Sequence, residues 1–160
     1  MTVRIRRARP ADAAAITAMI HGLAEFERAP EQCTVVEKQV SAALFGQSTT
    51  LQAHVADMDG DVAAMALWFL NFSTWDGVDG IYLEDLFVRP DFRRLGLARG
   101  LLSALARECV DNGYTRLSWA VLNWNTDAIA LYESVGGRPQ SEWTTYRVSG
   151  AELAELADPG

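Results

Sequence analysis

Apolar and polar residues alternate from Thr2 to Arg7, which predicts a strand, and the period then changes. After Pro10-Ala-Asp12, with proline suited to a first helical turn, Ile16, Ile20, Leu23 and Phe26 recur at helical spacing. Thr34-Val-Val-Glu37 has the form of a capping box, in which hydroxyl and carboxylate satisfy free amides, so a second helix is expected from there to about Gly46. Residues 51–56 and 62–70 are apolar segments joined by Asp57-Met-Asp-Gly60-Asp61, a signal for an antiparallel hairpin. A loop over 71–80 is expected to lead into a strand over 81–88.

Leu97, Leu101, Leu102, Leu105 and Cys109 mark one face of a helix that Gly113 can end by turning left-handed. Residues 116–121 read as a strand, and Asn125-Thr126-Asp127 as the cap of a helix reaching about Val135, where Gly136-Gly137 stops it. A strand over 143–148 and a short helix from Ala151 complete the order. Strand, two helices, three strands, helix, strand, helix, strand describes a mixed α/β or α+β sheet flanked by helices.

Composition narrows this little but excludes much. A chain of 160 residues is most simply one domain over 1–160, burying roughly 70% of its unfolded surface. With 49% apolar and 22% charged residues it falls outside the disordered class, and a net charge of −7 argues against a nucleic-acid surface. No apolar run approaches the ~20 residues that span a bilayer. Cys33 and Cys109 form no CxxC pair and the start has no apolar core of signal-peptide type, so a reduced, cytoplasmic setting is expected. His21 and His54 lie in no cluster with metal-ligand spacing, and no metal is expected.

The chemistry concentrates in Tyr82-Leu83-Glu84-Asp85-Leu86-Phe87-Val88 and the following Arg93-Arg94-Leu95-Gly96-Leu97-Ala98-Arg99. Carboxylates within an apolar strand precede a basic, small-residue turn that opens a helix, which can set a proton acceptor beside a bound phosphate ester. Free amides and the positive end of the helix dipole would hold the phosphate, and Gly96 and Ala98 leave room for it. A solvated basic helix start is the alternative. Neither GxxxxGK[ST] nor GxGxxG occurs, so P-loop and dinucleotide readings are set aside. Strand alternation places Glu84 with Tyr82, Leu86 and Val88, opposite Leu83, Asp85 and Phe87, where its carboxylate is expected to be partly desolvated and raised in pKa. The alternative is that Glu84 or Asp85 pairs with an arginine or lies on a solvated edge. Tyr132 follows Asn125 by seven residues, close to two helical turns, so both can face one ligand.

These residues resemble the GNAT superfamily of acetyl-CoA-dependent N-acetyltransferases, whose pyrophosphate motif Q/R-x-x-G-x-G/A is matched by Arg93, Gly96 and Ala98. The resemblance covers nearly the whole chain and narrows to the diamine and thialysine acetyltransferases through Leu23-Ala-Glu-Phe26-Glu27, Phe72-Ser73-Thr74-Trp75, Tyr82-Leu-Glu84-Asp85 and Trp124-Asn125. It implies a central sheet splayed between two adjacent strands with pantetheine in the opening, paired with the backbone of Leu86, Phe87 and Val88. It also implies that Arg93, Arg94, Leu95, Gly96, Leu97, Ala98 and Arg99 hold the pyrophosphate and that Asn125, Thr126, Asp127 and Ala128 line the cosubstrate. By the same resemblance Glu84 is the general base, through water or directly, and Tyr132 is the acid that protonates the departing thiolate. Phe26, Glu27, Ser73, Thr74, Trp75, Glu84 and Asp85 would contact a small-molecule amine. Polyamine-specific members tend to carry an aspartate where this chain has Ser73, so short diamines or lysine-like amino acids are favoured over spermidine and spermine. Family members are commonly homodimers that share residues across the interface, and a homodimer is expected. Two other classes stay open: a protein N-acetyltransferase, and a non-catalytic acyl-CoA-binding regulator.

Overall fold

The computed structural model describes residues 2–158 and 160, and the chain divides into two compact units, Met1–Thr126 and Asp127–Gly160. The first unit holds a five-stranded sheet in the order β1-β2-β3-β4-β5, formed by β1 Val3–Arg7, β2 Gln52–Met58, β3 Asp61–Ser73, β4 Val78–Val88 and β5 Leu117–Ser118. The first three pairings are antiparallel and β4 pairs β5 in parallel, so the sheet is mixed. Three helices flank it: α1 Ala13–Phe26, α2 Glu37–Phe45 and α3 Leu97–Asn112. In the second unit lie α4, which opens at the boundary and runs Thr126–Ser134, and α5 Gly150–Ala157.

Each sheet face is covered by different helices. Val55, Met65, Leu67 and Phe87 share one face and pack against Ile16 and Met19 of α1 and Val40 and Leu44 of α2. On the other face lies α3, whose Leu97, Leu101, Leu102, Leu105 and Cys109 are all buried, as its periodicity predicts. Gly100 brings this helix against the sheet, since a Cβ there would lie 3.3 Å from Ile5 Cδ1. Both ends of α1 are tied down. Arg6 donates two hydrogen bonds to Asp12, at 2.7 and 3.1 Å, and two to Asp57, both at 3.3 Å, and this guanidinium holds the Asp12 carboxyl below its ordinary range. The far end closes with Ala29 N–H donating to Ala24 O, a wrap that requires Arg28 at φ 65.

The Asp59-Gly60 hairpin forms as read, with both residues at positive φ in a two-residue turn. Other expectations are corrected. The segment 71–80 is mostly strand: Asn71 pairs Gly80, Phe72 pairs Asp79 and Ser73 pairs Val78, leaving a turn at 74–77. Gly80 reads as a loop residue but serves a close approach, since a Cβ there would meet Arg116 Cγ at 2.8 Å. Helix α2 begins at Glu37, two residues beyond what a Thr34 cap requires. Val35 O is engaged by His21 Nε2 at 2.8 Å, and Gln39 Oε1 rather than a Thr34–Glu37 box accepts the Val36 amide. β5 keeps only two of the six expected residues. Residues 143–148 form no strand, because alternation permits one but a ladder needs a partner edge; Trp143 and Tyr146 are exposed.

Candidate active site

The carboxylates of β4 sit at a defect in its ladder. Leu67 pairs Asp85 and Trp68 pairs Leu83, which makes Glu84 the extra residue of a bulge. A bulge re-aims side chains, and it defeats the simple alternation. Asp85 and Phe87, paired with Leu67 and Met65, share the α1–α2 face with Tyr82, while Leu83, Leu86 and Val88 share the α3 face. The predicted grouping of Glu84 with Tyr82, Leu86 and Val88 is therefore corrected.

Glu84 is exposed, and the expected desolvation falls on its neighbour. Asp85 is pushed up to about 6, first by burial and then by the charges of Glu84 and Glu27. Glu27, just past the end of α1, is also raised by partial burial. Two predicted amine-site carboxylates, Glu84 and Glu27, thus lie close enough to act on a third, Asp85, and next to Glu27 and Phe26 stand Arg28 and Trp124, which the predicted site did not include. Phe26 packs at 5.7 Å from Trp124, and Arg28 lies 4.1 Å above the Trp124 ring. The adjacency of Arg28 to Phe26-Glu27 was the available signal for it; nothing in the sequence pointed to its stacking.

The turn expected to hold a phosphate is left-handed at two positions. Arg94 at φ 62 and Gly96 at φ 77 turn the backbone left-handed just before α3, and Gly96 supplies no side-chain cap to the helix amides. Nothing approaches within 4 Å of where a Gly96 Cβ would be. First-turn amides without a side-chain cap among the described residues, the positive end of a 16-residue helix and open space are what an anionic diphosphate would require. Arg93 has a different task within this motif. Its Nε donates to Val88 O at 3.1 Å and its guanidinium lies 5.3 Å from the Phe26 ring and 5.7 Å from Phe87, so it clamps the turn to β4. Beside it, Met19, Gly22, Glu25, Phe26, Phe87 and Arg89 help to line a cleft of about 620 Å³.

Between turn and carboxylates, β4 has a free edge. β5 pairs it at Ile81 and Tyr82, and among the described residues no ladder continues along that side past Leu86, Phe87 and Val88. This is the splay expected of the sheet, and it leaves backbone groups for an extended amide-bearing ligand.

The structure does not unite every predicted site residue. Ser73 is buried and its hydroxyl accepts the Asp76 amide at 3.1 Å, while Trp75 is 88% exposed. At ~3.3 Å per residue, the seven steps from Val78, the partner of Ser73, to Asp85 put the Ser73-Thr74-Trp75 turn roughly 20 Å from that carboxylate. Asn125 and Thr126 close the first unit, and Asp127, Ala128 and Tyr132 lie in α4 of the second.

Comparison with known proteins gives a consistent result. A family model described as Acetyltransferase (GNAT) family matches residues 18–137. The thialysine N-epsilon-acetyltransferase of Caenorhabditis elegans is 38% identical over 152 residues, covering 93% of each chain. An L-ornithine N5-acetyltransferase of Arabidopsis thaliana is 29% identical over 98% of this chain and 88% of its own. Among solved structures, an integron cassette protein from the mobile metagenome of V. cholerae superposes with a TM-score of 0.82 at 23% identity over 99% of both chains, a likeness of fold alone.

Proposed function

The chain belongs to the acetyltransferase (GNAT) family and is an acetyl-transferring enzyme, and we propose that it moves the acetyl group of acetyl-CoA to the terminal primary amine of a small cationic substrate, a diamine or a thialysine- or lysine-like amino acid. The observation that carries this is the carboxylate patch of Glu27, Glu84 and Asp85 at the splay of β4, one strand-length from a turn suited to a diphosphate. A protein substrate or a purely regulatory role gains no comparable support.

An alkyl ammonium has a pKa near 10.4 and must lose a proton before its nitrogen can attack a thioester. The patch draws the cation in, and the Glu84–Asp85 pair takes the proton. Asp85, whose proton affinity lies nearer neutrality, is the member suited to hold it, and exposed Glu84 passes it to water. Nitrogen then bonds to the carbonyl carbon, the C–S bond breaks as the nitrogen gives up its second proton to solvent, and the leaving thiolate takes a proton from Tyr132, which solvent restores. That role for Tyr132 rests on resemblance and on its helical spacing from Asn125. Arg94, Leu95, Gly96, Leu97, Ala98 and Arg99 would bind the pyrophosphate, and Leu86, Phe87 and Val88 the pantetheine. Thr74 and Trp75, which are exposed, can serve an amine at Asp85 from the partner of a homodimer, given their separation from it within one chain, whereas Ser73 is buried and shapes their turn.

The test is release of free CoA from acetyl-CoA on addition of short diamines, diamino acids or peptides, with turnover expected for the first two. Tyr132→Phe, which removes only a hydroxyl, should lower kcat by about 100-fold while acetyl-CoA affinity persists. Unchanged kcat in that variant removes Tyr132 from the mechanism.

A further inference from the structure

Arg28 is an exposed arginine in a left-handed conformation, φ 65, at a position after α1 where glycine is the ordinary occupant. The wrap that ends α1 explains the left-handed backbone but not why an arginine stands there in place of glycine. Its guanidinium stacks 4.1 Å above Trp124, which itself packs on Phe26. Among the described residues no carboxylate lies within ion-pair distance of it, although Glu27 is its neighbour in sequence and two further acids complete the patch. A cation beside an acidic site, held by an aromatic face instead of by an acid, is available for exchange. An exposed cation–π contact is weaker than a charge-assisted, two-point pairing of guanidinium with carboxylate.

We propose that Arg28 makes the enzyme select amines that also carry a carboxylate: it leaves Trp124 to pair with the carboxylate of a diamino acid whose terminal ammonium lies among Glu27, Glu84 and Asp85, and it repels the second ammonium of a linear diamine. This rests on the reading of that patch as the amine site. The far end of such a molecule carries its carboxylate beside an α-ammonium, so it is locally neutral and offers Arg28 a two-point acceptor. A diamine offers a cation at both ends, and one of them faces a guanidinium.

L-ornithine and 1,4-diaminobutane differ only by the carboxylate, which makes them the discriminating pair. Wild-type enzyme should show the lower KM for ornithine. In Arg28→Gly, a variant that suits the left-handed backbone and should keep or raise the thermal midpoint, KM for ornithine should rise at least about tenfold while KM for 1,4-diaminobutane falls, with kcat for either staying within about twofold. Arg28→Lys should keep the ornithine preference in part, since it retains the charge but not the two-point geometry. KM values that move together in Arg28→Gly, or that do not move, overturn this inference while leaving the amine acetyltransferase reading intact. A wild type that releases CoA with neither compound overturns both.

Discussion

Gly96→Val should raise the dissociation constant for CoA by about 100-fold, equivalent to ~2.7 kcal/mol. Two effects combine at this residue. A β-branched side chain at φ 77 is strained by roughly 2 kcal/mol, so the turn relaxes away from the conformation that presents its amides. The added methyls also project into space that the protein leaves open, where a phosphate would approach the backbone. Strain alone would produce some loss of stability, and Gly113 separates the two effects. It caps the other end of α3 at φ 74, also with nothing within 4 Å of its Cβ position. Gly113→Val should destabilise the fold by a similar amount yet keep CoA affinity near that of the wild type. Calorimetric titration of both variants decides the matter, and equal affinities would mean that the α3 N-terminus is not the phosphate site.

The turn could be read from sequence because its chemistry is local. Gly96 takes the positive φ that opens α3, and Leu97, Leu101, Leu105 and Cys109 fix the helix face without help from distant residues. The carboxylates were legible as a pair but not by role. Unbroken strand alternation makes Glu84 the desolvated one, but the bulge opposite Leu67 and Trp68 carries no signature in composition. Its consequence is that Asp85 faces Glu27 and α1. The misplaced Thr34 cap and the absent strand at 143–148 share one cause: each depends on a tertiary partner, the Val35–His21 hydrogen bond in one case and a pairing edge in the other. The placement of Arg28 is likewise set by a distant partner, since Trp124 is 96 positions away.

Asp85→Asn should lower kcat/KM by at least about 100-fold near pH 7 and at the same time make the protein more stable. The two effects have one origin. Burial, Glu84 and Glu27 raise the Asp85 carboxyl from 3.8 to about 6, so the folded protein holds this proton more tightly than the unfolded chain does. Where the folded state binds more protons, stability falls as pH rises. The loss therefore accumulates between about pH 4 and pH 6 and persists above, reaching at most about 3 kcal/mol for a shift of this size. Asparagine has no charge to desolvate, so the urea midpoint of the variant should exceed that of the wild type at pH 7.5, and the difference should vanish near pH 4. Its kcat/KM profile should also lose the acidic limb centred near pH 6 that the wild type is expected to show. Glu84→Gln, which relieves one of the charges raising Asp85, should move that limb to lower pH rather than abolish it. If instead Glu84→Gln removes the limb and Asp85→Asn retains it along with its activity, the proton goes to Glu84 alone, and the half-buried aspartate is a cost to the fold without a part in the reaction.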